Sequence, residues 1–167
     1  YLNPGVNDRL FENEGGGRFT DVTPRARIVD KGYGLSASIG DLNNDGWPDI
    51  FVTNDFEERD KIWINQRNGT FADSSAKAMA NMSWASMGSD VADINGDGLL
   101  DVVTVDMLPR DNYRRQTQIG GMSIYGPFFD SVQRVHNALH MNRGSGRFSN
   151  VCYIAGIAAT DWSWSVL

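Results

Sequence analysis

A spaced repeat limits the folds open to this chain more than any other feature. Asp41-Leu-Asn-Asn-Asp-Gly-Trp-Pro-Asp49 returns as Asp93-Ile-Asn-Gly-Asp-Gly-Leu-Leu-Asp101, an offset of 52 residues. The same offset carries Asn13 to Asn65, Phe19 to Phe71 and Asp21 to Asp73. A further partial copy runs through Leu139-His-Met-Asn142 and Arg143-Gly-Ser-Gly-Arg-Phe148. Phe71 maps to Phe148 at an offset of 77, so 77 − 52 = 25 residues are inserted, between Met107 and Asn137. Units of about 50 residues at fixed spacing stack side by side, each burying its apolar face on the next.

Inside one unit the pattern is that of strands. Leu35–Gly40 leads into the first acidic segment, and Ile50-Phe-Val-Thr53 follows it, rich in β-branched and aromatic residues. Lys61-Ile-Trp-Ile64 is a third strand, Gln66-Arg-Asn-Gly69 a turn, and Thr70-Phe-Ala-Asp73 opens a fourth. Four antiparallel strands in this length describe one propeller blade. The expected fold is all-β, a segment of a β-propeller. Residues 1–30 are read as a partial blade, 31–82 as a blade, 83–159 as a blade with an insertion at about 107–136, and 160–167 as the first strand of a further blade. A closed ring takes roughly 4–8 blades, so this is an arc of one. Within the insertion a short helix is expected around residues 130–135.

The strongest chemical signal is Asp-x-Asn-x-Asp-Gly-x-x-Asp, present twice. Calcium takes six to eight oxygen ligands, and alternate residues of a tight loop aim their oxygens at one centre. The candidate ligands are Asp41, Asn43, Asp45 and Asp49 with the Trp47 carbonyl, and Asp93, Asn95, Asp97 and Asp101 with the Leu99 carbonyl. Gly46 and Gly98 permit the sharp turn. An EF-hand is excluded: position twelve, which needs a bidentate Glu, is Val52 in one loop and Thr104 in the other, and strand sequences follow. Magnesium suits the loops less well, because it tends to retain its waters. The competing view is an Asp/Asn/Gly-rich hairpin that binds nothing.

These loops, with the Trp-Ile-Asn strand and Gly-x-Phe turn after the first of them, resemble FG-GAP (VCBS) repeats, which build the propellers of integrin α subunits and many secreted bacterial proteins. The resemblance implies a calcium site in the hairpin joining the first two strands of each blade, held by the eight side chains above. A closer resemblance is to the ASPIC/UnbV group, similar to cartilage acidic protein and numerous in Bacteroidetes. It rests on Asp106-Met-Leu-Pro109, Asn112-Tyr-Arg114, His136-Asn-Ala-Leu-His-Met-Asn142 and Thr160-Asp-Trp-Ser-Trp164. It implies an exported, calcium-dependent propeller with no established catalytic activity.

Composition fits this reading. The acidic residues divide into 17 Asp and 4 Glu, favouring turns and metal loops over helices. A formal net charge of −6 argues against nucleic-acid binding. No apolar run approaches the ~20 residues of a membrane-spanning helix. The single cysteine, Cys152, reads as a buried strand thiol. His136 and His140 read as structural histidines beside a strand, and Trp162 and Trp164 as blade packing, with a sugar-stacking platform as the sharper alternative. Arg110, Arg114, Arg115 and Arg134 read as a solvated loop, or as a site for an acidic partner or glycan. No nucleophile elbow, phosphate loop or His-Glu-x-x-His motif is present, so no catalytic residue is assigned. The expected function is an extracytoplasmic module for adhesion or for binding an unidentified protein or glycan, with two structural Ca²⁺. The alternative is an accessory or substrate-binding propeller of a polysaccharide-degrading or other secreted enzyme.

Overall fold

The computed structural model describes residues 5–55, 58–119 and 132–166. It opens on a hairpin of β1 (Phe11–Gly15) and β2 (Arg18–Asp21), followed by a single helical turn, α1 (Thr23–Ala26). Next come β3 (Gly34–Gly40), β4 (Asp49–Asn54), β5 (Lys61–Asn65) and β6 (Phe71–Asp73), an antiparallel four-stranded sheet in sequence order. A second turn of helix, α2 (Ser75–Ala78), and the short β7 (Met82–Ser83) lead to the next sheet. That sheet consists of β8 (Gly88–Ala92), β9 (Asp101–Val105), a strand at Ala138–Asn142 and a strand at Phe148–Asn150, also antiparallel and in order. The protein is therefore all-β, built from four-stranded antiparallel units as expected of propeller blades.

Between β9 and the Ala138 strand lies the insertion. It contains a helical turn, α3 (Asn112–Arg114), running into a π-helical stretch at Arg115–Ile119. Residues 120–131, and with them the first part of the helix expected around 130–135, lie outside the described residues. The remainder is not helical: β10 (Gln133–Arg134) pairs in parallel with β7. The two strands completing the second sheet are then β11 (Ala138–Asn142) and β12 (Phe148–Asn150). The buried Gln133 side-chain amide donates to the Glu58 carbonyl, which ties this strand to the β4–β5 connection of the first sheet.

Hydrogen bonds repeat with the sequence. The Thr23 hydroxyl accepts from the Leu10 N–H, and 52 residues later the Ser75 hydroxyl accepts from the Ile62 N–H. Asn13, Asn65 and Asn142 each accept, through Oδ1, the N–H two residues on, closing the turn after a strand. The main core lies between the two sheets: Phe51 and Ile62 of the first meet Val102 and Phe148 of the second, with Leu42 of the β3–β4 loop and Met79 and Met82 of the segment joining the sheets.

Residues 160–166 form no strand among the described residues, where the first strand of a further blade was expected. Their backbone still runs beside β8, since a Cβ added at Gly88 would lie 2.9 Å from the Trp164 carbonyl oxygen. A strand also needs ladder partners, and the hydrogen bonds of this segment run instead through side chains, Ser163 to Thr160, Asn137 to Thr160 and the Arg110 N–H to Asp161.

Candidate functional site

The two acidic loops connect β3 to β4 and β8 to β9, at the same end of both sheets. Their internal hydrogen bonding is nearly identical. Asp41 Oδ1 accepts from the Asp45 N–H at 2.9 Å and Oδ2 from the Gly46 N–H at 2.7 Å. Asp93 does the same, Oδ1 for the Asp97 N–H at 3.0 Å and Oδ2 for the Gly98 N–H at 2.9 Å. Asp45 and Asp97 accept from the N–H two residues on, Trp47 and Leu99. In both loops the Asn amide donates to the central Asp, Asn43 to Asp45 at 3.1 Å and Asn95 to Asp97 at 2.9 Å. Gly46 at φ 87° and Gly98 at φ 86° hold the left-handed conformation the turn requires.

The ninth-position carboxylates are anchors. Asp49 and Asp101 are wholly buried. Asp49 accepts from the N–H groups of Leu42 and Asn65, and Asp101 from those of Ile94 and Asn142. Each thus pins the start of its loop to the third strand of its own sheet. Burial raises the Asp49 carboxyl above its ordinary value, against the opposing pull of those two N–H groups. Asp97 is held below the usual range by the Asn95 amide and the Leu99 N–H. At Asp45 desolvation works upward, yet Asn43 and Arg67 outweigh it and the carboxyl is lowered. Arg67 makes an ion pair with Asp45 at 3.1 Å, a counter-charge from the β5–β6 turn.

All eight predicted side chains therefore gather in two compact loops. Among the described residues no group of three or more Asp, Glu, His or Cys side chains forms a metal cluster. The carboxylates face N–H groups of their own loops and, for Asp49 and Asp101, of the third strand as well. One atom breaks this self-sufficiency: Asn43 Oδ1 is buried and without a hydrogen-bond partner. An all-oxygen donor set with a free buried amide oxygen fits a hard cation, which Asp41, Asn43, Asp45 and Asp49, with the Trp47 carbonyl, would hold. In the second loop Asn95 Oδ1 instead accepts the Asp97 N–H at 3.0 Å.

Asn142 is the residue whose role the sequence pattern missed. Its Nδ2 donates to the carbonyls of Leu42, in the first loop, and Leu100, in the second, at 2.9 and 3.0 Å. It joins the two loops across the sheet boundary. The signal was present as the recurring Asn of the third strand, Asn65 and Asn142. Asn142→Ala leaves two carbonyls without this partner and is expected to lower stability by about 1–3 kcal/mol, measured by urea denaturation.

Other candidates divide differently. Cys152 is buried as expected but sits in a turn after β12. Its Sγ lies 3.8 Å from His136 Nδ1, a proximity the sequence did not suggest. Burial raises the thiol and depresses the imidazole, so the pair is not an activated nucleophile. His140 is buried in β11, paired across the ladder with Val102. Trp162 and Trp164, expected to pack, are exposed at 51% and 64%, because no strand forms there to fold them onto a sheet. Arg110 and Arg114 tie the insertion to the 159–161 segment through the Ala159 carbonyl and Asp161. Arg115 donates to the Pro109 carbonyl and Arg134 to that of Gln133.

Fold and loops together define a β-sheet repeat protein whose unit carries an acidic hairpin between its first two strands. The chain belongs to the FG-GAP-like repeat family, whose model matches residues 1–52 and again 41–104. Each match ends just past an acidic loop. No curated protein matches the chain. Among the described residues no helix is long and apolar enough to cross a membrane.

Proposed function

We propose that this chain is part of a calcium-stabilised β-propeller acting outside the cytoplasm as a binding module for a protein or glycan, of the ASPIC/UnbV type within its family. The observation that carries the reading is the duplication of one oxygen-lined loop, with all four candidate ligand side chains kept, at the same end of both sheets. Calcium would supply positive charge to a carboxylate cluster and tie adjacent strands together. Its role is structural, and no residue is assigned to catalysis. Each loop is fixed to the buried core through Asp49 or Asp101, so a bound ion stabilises the folded state alone.

The test is a thermal melt in excess Ca²⁺ and in chelator. An ion present at about 100 times its Kd adds roughly 2.7 kcal/mol, a rise of several degrees in Tm. Identical melts in both buffers would refute the calcium reading. Binding to a glycan array, followed by a search for turnover of the glycans retained, separates a binding module from an enzyme.

A further inference from the structure

At the end of the sheets opposite the acidic loops, each unit carries a polar tie to its neighbour. Between the two complete sheets both carboxylates of the tie are paired through each oxygen. Asp60 accepts from the Asn54 N–H at 3.0 Å and from the Ser86 hydroxyl at 2.8 Å. Asp106 accepts from the N–H groups of Trp84, Ala85 and Met107. The tie one unit earlier uses positions 8, 30, 32, 34 and 54, each 52 before 60, 82, 84, 86 and 106. There the side chains differ. Ser86 is replaced by Gly34, which removes a donor, Met82 by Asp30, which adds a carboxylate, and Asp106 by Asn54, which turns a carboxylate into an amide.

The consequence is a surplus of oxygen. Asp8 Oδ2, Asp30 Oδ2 and Asn54 Oδ1 are all buried with no donor from another group reaching them; the two carboxyls can pair only with each other, by sharing a proton. Asp30 is 4% exposed and Asn54 is 1% exposed. The Asn54 amide donates to the Arg59 carbonyl, which fixes Oδ1 as the free atom. That oxygen sits against Gly32, where any Cβ would collide with it, and the Gly32 N–H donates to Asp30 Oδ1 at 2.9 Å. Asp8 Oδ1 abuts Gly34 in the space the serine side chain fills one unit later. Burial raises the Asp8 carboxyl, and the adjacent Asp30 charge raises it further.

We propose that Asp8, Asp30 and Asn54 form a binding site for a hard divalent cation, separate from the acidic loops. Two carboxylates match the charge of such an ion, and the amide oxygen is a neutral third ligand. The rival is a proton shared between Asp8 and Asp30. It satisfies the carboxyls but leaves Asn54 Oδ1 buried and unpaired, a penalty the cation removes.

The experiment is calorimetric titration of the full chain with Ca²⁺ and with Mg²⁺, using variants that separate the sites. Asp45→Ala/Asp97→Ala, aimed at the loops, is expected to retain one ion per chain, and adding Asp30→Asn to abolish it. Asp30→Asn alone loses one ion relative to the unsubstituted chain, a comparison that stands even if the loop variant fails to fold. Asp30→Met/Gly34→Ser installs the next unit's side chains and is expected to fold with this ion absent. An ion count that Asp30→Asn leaves unchanged overturns the site, as does stability that falls from pH 4 to 7 in chelator and responds to neither ion. Failure of the loop reading looks different: Asp45→Ala/Asp97→Ala then changes nothing while Asp30→Asn still removes one ion.

Discussion

Replacing Asp60 by Asn is expected to make the protein more stable at pH 7 than the unsubstituted chain, and no more stable at pH 4. Asp60 is buried between the sheets, and desolvation, with the nearby Asp106 charge, pushes its carboxyl up to about 7. A carboxyl with a raised folded pKa contributes fully below its unfolded value of 3.8. That contribution is lost as pH rises towards 7, because the unfolded chain ionises freely while the folded one resists. At ~1.4 kcal/mol per pH unit of separation, the change is on the order of 4 kcal/mol. Asparagine keeps the acceptor for the Asn54 N–H and can donate to the Ser86 hydroxyl, so the geometry survives. His140 acts oppositely. Burial lowers it to about 3, so its contribution is present above its ordinary 6.5 and lost as pH falls. The two trends offset each other in the unsubstituted chain, and the informative quantity is the difference between variant and parent. Urea denaturation in chelator from pH 4 to 7 gives that difference; parallel stability curves would show that Asp60 does not titrate there.

The second large effect is expected at Phe51. Its ring is fully buried on β4, in the cluster that includes Ile62 of its own sheet, Leu42 of the β3–β4 loop, and Val102 and Phe148 of the next sheet. Phe51→Ala removes this filling where both sheets and the linker converge. The expected loss is about 3–5 kcal/mol, a large share of the ~5–15 kcal/mol that holds a typical domain together. Ile39→Ala is the control. Ile39 is 57% exposed on β3, and its replacement is expected to change stability by under about 0.5 kcal/mol. Equal effects at the two positions would place the core elsewhere.

Much of this architecture was legible in the residues because it repeats. Alternation in Leu35–Gly40 and the β-branched run Ile50–Thr53 fall in β3 and β4, and the expected Lys61–Ile64 strand is β5 one residue shorter. The loops were legible because their geometry needs particular residue types at fixed positions: short carboxylates that cap N–H groups, and a glycine at positive φ. What escaped notice depends on tertiary contact. Asn142 bridges two loops whose carbonyls lie 42 and 100 residues away in sequence. The helical stretch lies at 112–119 rather than around 130–135, and it opens where Asp111 accepts the Arg114 N–H as an N-cap. Trp162 and Trp164 alternate as strand residues do, but alternation alone does not supply a neighbouring strand. The surplus of oxygen around Asp30 emerges only when one unit is laid on the next.

Calcium binding by the duplicated loops is the central claim, and a direct calorimetric titration with Ca²⁺ tests it. The full chain and its Asp45→Ala/Asp97→Ala variant are compared at equal concentration. Two fewer ions bound by the variant, with its thermal response to loop-bound calcium gone, is the predicted result. Equal uptake by the two proteins, or none by either, would contradict it.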